Sequence, residues 1–526
     1  MPRPTVNMPR AGTDDGRCLA KLPWGWSKLE VDRGVGTTGD EGTRILSVDV
    51  GSSSVRAELY DGSGNGLKGT ETKLDYDFDY TPDGGATTDA DGLLGLVARA
   101  IDGALSRSKD VGISGVAMST FWHSVLGLSR DGNPTTPILT WADRRAADAA
   151  RELRDVLDES VVHRRTGCVL HSSYWPAKLL WLSETLTRAF ESTQYWVSPG
   201  DYFYARFFGG TYAVGTSMAS ATGLFDQNWR RWDRQTLDAL PADTPHLSTV
   251  SDEPRRGLAG EWANRWPILR EVPWFPAVGD GACSNVGSGC TGSDRLAIMV
   301  GTSGAMRVLW KAESVEIPDG PWCYRADGER FVMGGALSDG GNLIEWLHNT
   351  MRLPGPKETE KRLAGMEPDS HGLTFLPLLA GERGPGWADR ANGTVAGLSM
   401  NSNPEGILRA AMEAVAYRFA LIAGMIEVAS PGRKEIVATG GGLLHSPTWT
   451  GIIADVLGRP VTLSGVKEAS SRGAALIALE ALGGPEVEEA GAPLGETFEP
   501  DPGRHEIYRE AIERQRRLYD AVLGTP

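Results

Sequence analysis

The chain has 526 residues, 40% of them apolar and 23% charged, an ordinary balance for a soluble globular protein and enough length for about two to four domains. A net charge of -15 argues against a general nucleic-acid or anionic-membrane binder, so any phosphate site must be built locally from backbone donors and a few cations. No apolar run approaches the ~20 residues needed to span a bilayer. The five cysteines (Cys18, Cys168, Cys283, Cys290 and Cys323) are sparse and lack C-x-x-C spacing. With no signal-type apolar core at the N-terminus, reduced thiols in a cytoplasmic protein are expected.

Residues 1–43 are rich in Gly, Pro, Thr and Asp without a sustained period, and read as a poorly ordered extension. Organised sequence starts at Arg44. ILSVDVGSSSVRAELY (45–60) predicts two strands joined by a tight, glycine-opened turn. A helix is expected over 89–108, then a buried strand over 111–120 that ends in FWHS and presents Trp122 and His123. SSYWPAKLLWLSE (172–184) leads into another helix. SPGDYFYARFFGG (198–210) and TSMASATGLFD (216–226) alternate small and aromatic residues as lining segments do. IMVGTSGAMRV (298–308) then aligns without gaps on VDVGSSSVRAE (48–58), which sets Gly301 on Gly51, Thr302 on Ser52 and Met299 on Asp49. ALSDGGNLIEWLHNT (336–350) is a glycine-rich approach to a helix, and 382–399 is a long loop of turn formers. The strongest helix is 404–429. Strand, triple-glycine turn and helix follow over 435–461, with further helices at 470–483 and about 504–523. Strands alternate with helices in both halves, each half opens on a comparable hairpin, and the expectation is two similar α/β domains facing a cleft.

One glycine–serine turn is weak evidence, since most are only turns. Two at matched register suit a cleft that holds a polyphosphate from both sides, because backbone N–H groups in such turns form anion-binding concavities. In GDGACSNVG, Asp280 lies among small residues just ahead of the second hairpin. An ordinary turn aspartate would look the same, but a carboxylate there suits the base that phosphoryl transfer requires. ATGGGLLHSPTW (438–449) fits either close helix packing or a backbone laid against a nucleobase. Trp122 and His123, with Trp141, Asp143 and Arg145, offer the aromatic faces and hydrogen-bonding groups of sugar recognition, against the blander reading as core residues. GTSMASATG (215–223) resembles the nucleophile segment of subtilisin-like proteases and puts Ser217 in question. It lacks the expected proline at 221 and a His-Gly-Thr block, so the serine has no activating base.

Together these stretches resemble the FGGY carbohydrate kinases of the hexokinase–actin ATPase superfamily, from about Arg44 to Gly483. DVGSSSVR matches the first phosphate motif, VGTSGA the second and ATGGGLLHS the adenosine motif. SYWPAKLLWLSE is similar to the first family signature apart from Trp175 and Thr185. GTVAGLSMNSNPEGILRAAME is similar to the second, with Gly406 in a slot usually polar or acidic. FWHS, TWADRR, SMASATGLFD and GDGACSNVGSGC look most like gluconokinases, with xylulokinases next; Gly281 stands where xylulose and glycerol kinases commonly carry Asn or Gln.

The resemblance implies two ribonuclease H-like (actin-like ATPase) domains facing a central cleft. Residues 44–291 would carry the sugar site, first hairpin and catalytic Asp, and 292–526 the second hairpin and adenosine site. Asp280 would deprotonate the acceptor hydroxyl, and Asp49 would orient Mg²⁺ through water. Gly51, Ser52, Ser53, Ser54, Arg56, Gly301 and Thr302 would hold the ATP phosphates, and Gly341, Glu345, Gly441 and His445 would surround ribose and adenine. Trp122, His123, Asp143 and Gly281 would face the sugar. The implied activity is ATP-dependent phosphorylation of a terminal hydroxyl of a sugar acid or ketose, D-gluconate first, with xylulose or another pentulose or polyol as alternative. A non-catalytic sugar or nucleotide sensor is the rival of another class; it would need neither Asp49 nor Asp280. A small-molecule sugar is the expected partner, with no nucleic acid or membrane, and a homodimer is left open.

Overall fold

The computed structural model describes residues 42–524 apart from 109–111, 211–212, 242–243, 245 and 433. The expected N-terminal extension thus lies outside the described residues except for its last two, as does Val111 of the expected strand 111–120. Two sheets organise the rest. In the first, Arg44–Val50 (β1) runs antiparallel to Ser54–Asp61 (β2), which pairs with Thr72–Asp75 (β3). On its other side β1 runs parallel to Gly115–Thr120 (β4), and β4 parallel to Val278–Gly279 (β5). The sheet order is β3-β2-β1-β4-β5.

The second sheet repeats the pattern. Arg295–Val300 (β6) and Gly304–Lys311 (β7) form the second hairpin; Trp322–Arg325 (β8) and Arg330–Leu337 (β9) extend it. Glu435–Thr439 (β10) and Val461–Ser464 (β11) run parallel to β6, and Leu494–Phe498 (β12) closes the edge. Its order, β8-β9-β7-β6-β10-β11-β12, contains the five-strand order of the first sheet. The sequence repeat at 48–58 and 298–308 is therefore a structural one.

Helix Ala90–Arg107 (α1) starts at Asp89, whose carboxylate accepts the Gly92 N–H, and buries Leu93, Leu94, Val97 and Ile101 on one face. Segment 198–210, expected to line a site, is instead the core helix Pro199–Phe208, fixed by a Ser198–Asp201 capping box. Its aromatics pack inward, Phe207 with its ring centroid 4.9 Å from that of Trp262. The small-residue run after β5 is a short helix, Asp280–Gly287 (α2). Helix Gly341–Thr350 (α3) follows β9, and Pro404–Ala429 (α4) matches its expected bounds, with Pro at its first turn and the Asn403 side chain as cap. Among the described residues no helix is long and apolar enough to cross a membrane.

Helix Ala469–Ala481 (α5) follows β11 as α2 follows β5, so the two occupy equivalent places in the two halves. α5 leaves the second sheet and packs on β1 and β4, its Ala474–Leu479 joining the first core. It crosses α2 with backbones in contact. A Cβ at Gly473 would lie 1.8 Å from the Cys283 carbonyl oxygen, and one at Gly287 1.8 Å from that of Ala469. Arg472 clamps the crossing, donating from Nη1 to Gly287 O at 2.7 Å and from Nε to Gly64 O at 3.0 Å. The expected outcome for Gly473→Ala is a loss of about 1–3 kcal/mol, the usual cost of an overpacked core, because the obstacle is backbone. Urea unfolding measures it; an unshifted midpoint would contradict the crossing.

Candidate active site

β1, β4 and β5 run parallel, so their C-terminal ends share one edge, where open α/β sheets place their ligands. That edge gathers Asp49 and the 51–54 turn, then Phe121-Trp122-His123, then Asp280 at the start of α2. In the second sheet β6 and β10 deliver Gly301-Thr302 and Gly441 to the facing edge. A cavity of about 450 Å³ lies between them, lined by Gly51, Ser52, Ser53, Ser54 and Arg56 from the first turn and by Gly301 and Thr302 from the second. Trp122, His123, Asp280 and Gly441 line it too. A second cavity of about 630 Å³ shares Ser52, Ser53, Trp141, Thr302 and Arg383 with it and adds Asn342 and Glu345.

Each turn is closed by the N–H of its first glycine, which reaches a carbonyl three residues on in the first and two residues on in the second. Gly51 N donates to Ser54 O at 2.9 Å, and Gly301 N to Ser303 O at 3.0 Å. The N–H groups of Ser52, Ser53, Thr302 and Ser303 make no hydrogen bond among the described residues. Four unmatched donors on facing turns are suited to phosphate oxygens.

Asp280 opens α2 and is partly buried, its Oδ1 accepting the N–H of Gly281 at 2.7 Å. Burial raises its pKa, opposed by the charge of Arg307. Asp49 is buried, with a pKa pushed up to about 6 by desolvation in spite of the Arg56 guanidinium 3.7 Å away. Its Oδ1 is buried without a hydrogen-bond partner among the described residues. An orphaned carboxylate oxygen beside a phosphate turn fits a hard divalent cation, bound directly or through water. Arg56 is held mainly by Glu468, 2.6 Å from its Nη1, so it bridges the first hairpin to the segment before α5.

The Trp122 ring lies against the start of α2. A Cβ at Gly279 would sit 1.8 Å from Trp122 Cε2, and one at Gly281 2.7 Å from Cζ3, so both glycines make room for the indole. Trp122 Nε1 donates to Ser217 O at 3.1 Å, and Ser217 Oγ accepts the Gly279 N–H at 3.1 Å. Ser217 is thus a brace behind the tryptophan, not a nucleophile. His123 sits at φ 66, and its Nδ1 is 2.8 Å from Ala221 O. A carbonyl can only accept, so Nδ1 carries the proton and Nε2 is left as an acceptor for a hydroxyl. Burial holds the His123 pKa down to about 3, so the ring is neutral.

Asp143 is placed differently from its expected sugar contact. It lines neither cavity; its carboxylate pairs with Arg145, 2.5 Å from Nη2, and accepts the Ala86 N–H at 3.2 Å. The neighbouring Trp141 lines both cavities instead. Gly281 likewise serves Trp122 instead of lining the cavity. Gly341 is drawn in through its amide, which donates to Gly301 O at 2.8 Å and ties α3 to the second turn. Glu345 lines the larger cavity, while His445 is exposed with Nδ1 2.9 Å from Gly441 O.

Sequence reasoning missed Arg307 and Arg383. Arg307 aligns on Ala57 in the repeat, so the repeat gave no signal. Arg383 sits in the 382–399 loop, which reads as turn formers but crosses to the first domain as a strap. Glu382 organises that strap: its carboxylate accepts the N–H groups of Gly386 and Ala388 and the Tyr519 hydroxyl, and pairs with Arg418. Asp389 reaches His171, 2.9 Å from its Nε2.

Residues 44–287 match the N-terminal domain, and 296–482 the C-terminal domain, of the FGGY family of carbohydrate kinases. The chain belongs to that family. FGGY kinases are ATP-dependent phosphotransferases with an alcohol group as acceptor, and their acceptors are small-molecule sugars. The chain is 26% identical over 454 residues to gluconokinase of Bacillus subtilis (strain 168), covering 84% of this chain and 88% of the relative. It is 27% identical over 490 residues to glycerol kinase of Geobacter sp. (strain M21), covering 89% and 96%. Among solved structures it is similar to gluconate kinase from Lactobacillus acidophilus, with TM-score 0.82, 26% identity and coverage of 91% and 98%. A ligand-bound xylulose kinase from the same organism matches with TM-score 0.82, 25% identity and coverage of 92% and 99%. The two FGGY domains have the actin-like ATPase fold, facing one cleft.

The neutral His123 generates a pH prediction. The ordinary histidine pKa of 6.5 falls to about 3 in the folded protein, so between those values the unfolded chain binds more protons. Its stabilising contribution is complete above pH 6.5 and is lost as pH falls towards 3, at up to about 1.4 kcal/mol per unit. His163, also buried, shifts in the same direction. Denaturant unfolding of His123→Asn is therefore expected to show a shallower acid loss, not a flat one; an unchanged slope would contradict the assignment.

Proposed function

We propose that this kinase transfers the γ-phosphoryl group of ATP to a terminal hydroxyl of a sugar acid or ketose, with D-gluconate the first choice and 6-phosphogluconate the product. One observation carries the reading: Asp280 lines the same cavity as both glycine–hydroxyl turns. A carboxylate whose pKa is raised by burial accepts the hydroxyl proton as the oxygen attacks phosphorus and ADP leaves. The unmatched N–H groups of the two turns take charge developing on the phosphate oxygens. Asp49 would hold Mg²⁺, which when bound neutralises phosphate charge. Gly341, Glu345, Gly441 and His445 form the adenosine side, and His123 Nε2 accepts from an acceptor hydroxyl above the Trp122 face.

The gluconokinase of B. subtilis and the gluconate kinase of L. acidophilus support the sugar acid; the xylulose kinase supports a pentulose as the second reading. The same proposal places the domain boundary between 291 and 292 and the protein in the cytoplasm. Asp280→Asn is expected to lose at least ~10²-fold in kcat, by the usual size of general-base effects, while ATP binding by calorimetry is retained. A coupled ADP-release screen of gluconate, xylulose, ribulose and glycerol identifies the acceptor. Near-normal turnover in the variant would remove Asp280 from the chemistry.

A further inference from the structure

Buried guanidinium groups need partners, because an unpaired charge away from water is costly. Arg330, Arg409 and Arg418 have carboxylates within ion-pair distance. Arg325 and Arg472 have none among the described residues but donate to main-chain carbonyls. Arg307 and Arg383 differ from all of these. Both line the cleft cavity and neither has a carboxylate within ion-pair distance among the described residues; each also keeps a buried N–H without an acceptor, Nη2 in Arg307 and Nε in Arg383, as the ion-paired Arg418 does at its Nε.

The two are not equivalent. Arg307 has its Nε on Asn285 Oδ1 at 3.1 Å and is the strongest positive neighbour of Asp280. An acceptor carboxylate held there would face the base, like charge against like. Arg383 acts on Asp280 more weakly and stands at the seam of the two cavities. Its guanidinium lies 4.2 Å from the centre of the Trp141 ring and donates from Nη2 to Leu337 O at 3.0 Å, which fixes its plane. With Nε buried and Nη2 on Leu337 O, Nη1 is the nitrogen left without a hydrogen bond among the described residues, and a guanidinium fixed in this way offers a charge-assisted donor to a carboxylate. An open-chain sugar acid carries its primary hydroxyl and its carboxylate at opposite ends, and Asp280 and Arg383 line the same cavity as two separate groups that could take one end each. We propose that Arg383 receives the carboxylate of the acceptor and sets the preference for sugar acids over neutral sugars. This rests on the reading of the cleft as an acceptor site.

The test compares gluconate with gluconamide, which keeps shape and loses charge, by ADP release from the full-length enzyme. Wild type is expected to favour the acid in kcat/KM by roughly 10- to 100-fold, the size of one charge-assisted hydrogen bond. In Arg383→Gln the ratio falls towards unity, mainly through KM for the acid, whereas Arg383→Lys retains part of it. Should the Gln variant not fold, the wild-type ratio and the Lys variant still decide. A wild-type ratio near one, or an unchanged ratio in the Arg383 variants, overturns the proposal, as does an equal fall in kcat for both acceptors. If no sugar, charged or neutral, releases ADP, it is the acceptor-site reading that fails.

Discussion

Where Asp280 stands depends on a contact at the far end of its helix. α2 is short, and its last residue, Gly287, touches the Ala469 carbonyl at the start of α5, while Gly473 of α5 touches the Cys283 carbonyl. Any side chain at either glycine would push the helices apart and carry Asp280 with α2. The same crossing joins the two halves, because α5 follows the second sheet in sequence yet belongs to the core of the first. The Ser47 hydroxyl donates to Ser471 O at 2.7 Å within this contact, fixing α5 on β1, the strand that bears Asp49. The two carboxylates of the site are thus positioned by one small-residue interface.

A second constraint acts at the other end of α2. The Trp122 indole fills the space that side chains at 279 and 281 would occupy, and its ring centroid lies 5.3 Å from that of Tyr324 in the second sheet. Tyr324 in turn shares a hydrogen bond of 2.5 Å with Tyr174. Aromatic side chains from both domains therefore form one wall of the cleft cavity. The strap from the second domain, closed on itself by Glu382 and anchored on His171 by Asp389, forms another wall. The walls of the cavity are supplied by the two domains together.

Much of this was legible in the sequence, and the reasons are local. The hairpin repeat shows because turn chemistry demands glycine and hydroxyl residues at fixed spacing, and α4 shows because its cap, proline and apolar period agree. Asp280 is visible by its position ahead of the second hairpin. What could not be read depends on tertiary neighbours. Asp143 has the right chemistry for a sugar contact, but Arg145 two residues on claims its carboxylate. The aromatic run 198–210 has the composition of a lining and the period of a core helix. Arg383 lies in a glycine- and proline-rich loop whose path across the cleft no local rule contains, and α5 gives no hint that its core is the first domain's.

The charges in the cleft explain why an acidic protein can bind an acidic nucleotide. Asp49 and Asp280 repel each other across the site, and burial makes both reluctant to ionise. Arg56 offsets the first and Arg307 the second, so near the reacting groups each carboxylate has a nearby cation. Arg383 has no such close partner among the described residues. Burial holds even its guanidinium down to about 10, with the charges of Asp280 and Asp339 opposing the shift. Hydrophobic stacking on Trp141 keeps that charge flat against the wall without neutralising it. Arg383 has no carboxylate within ion-pair distance among the described residues, so an anion entering the cavity beside it would find a cation not already paired. On the proposed reading, in which Arg383 faces the acceptor, selection among acceptors is expected to turn on their charge as well as on the number and order of their hydroxyl groups.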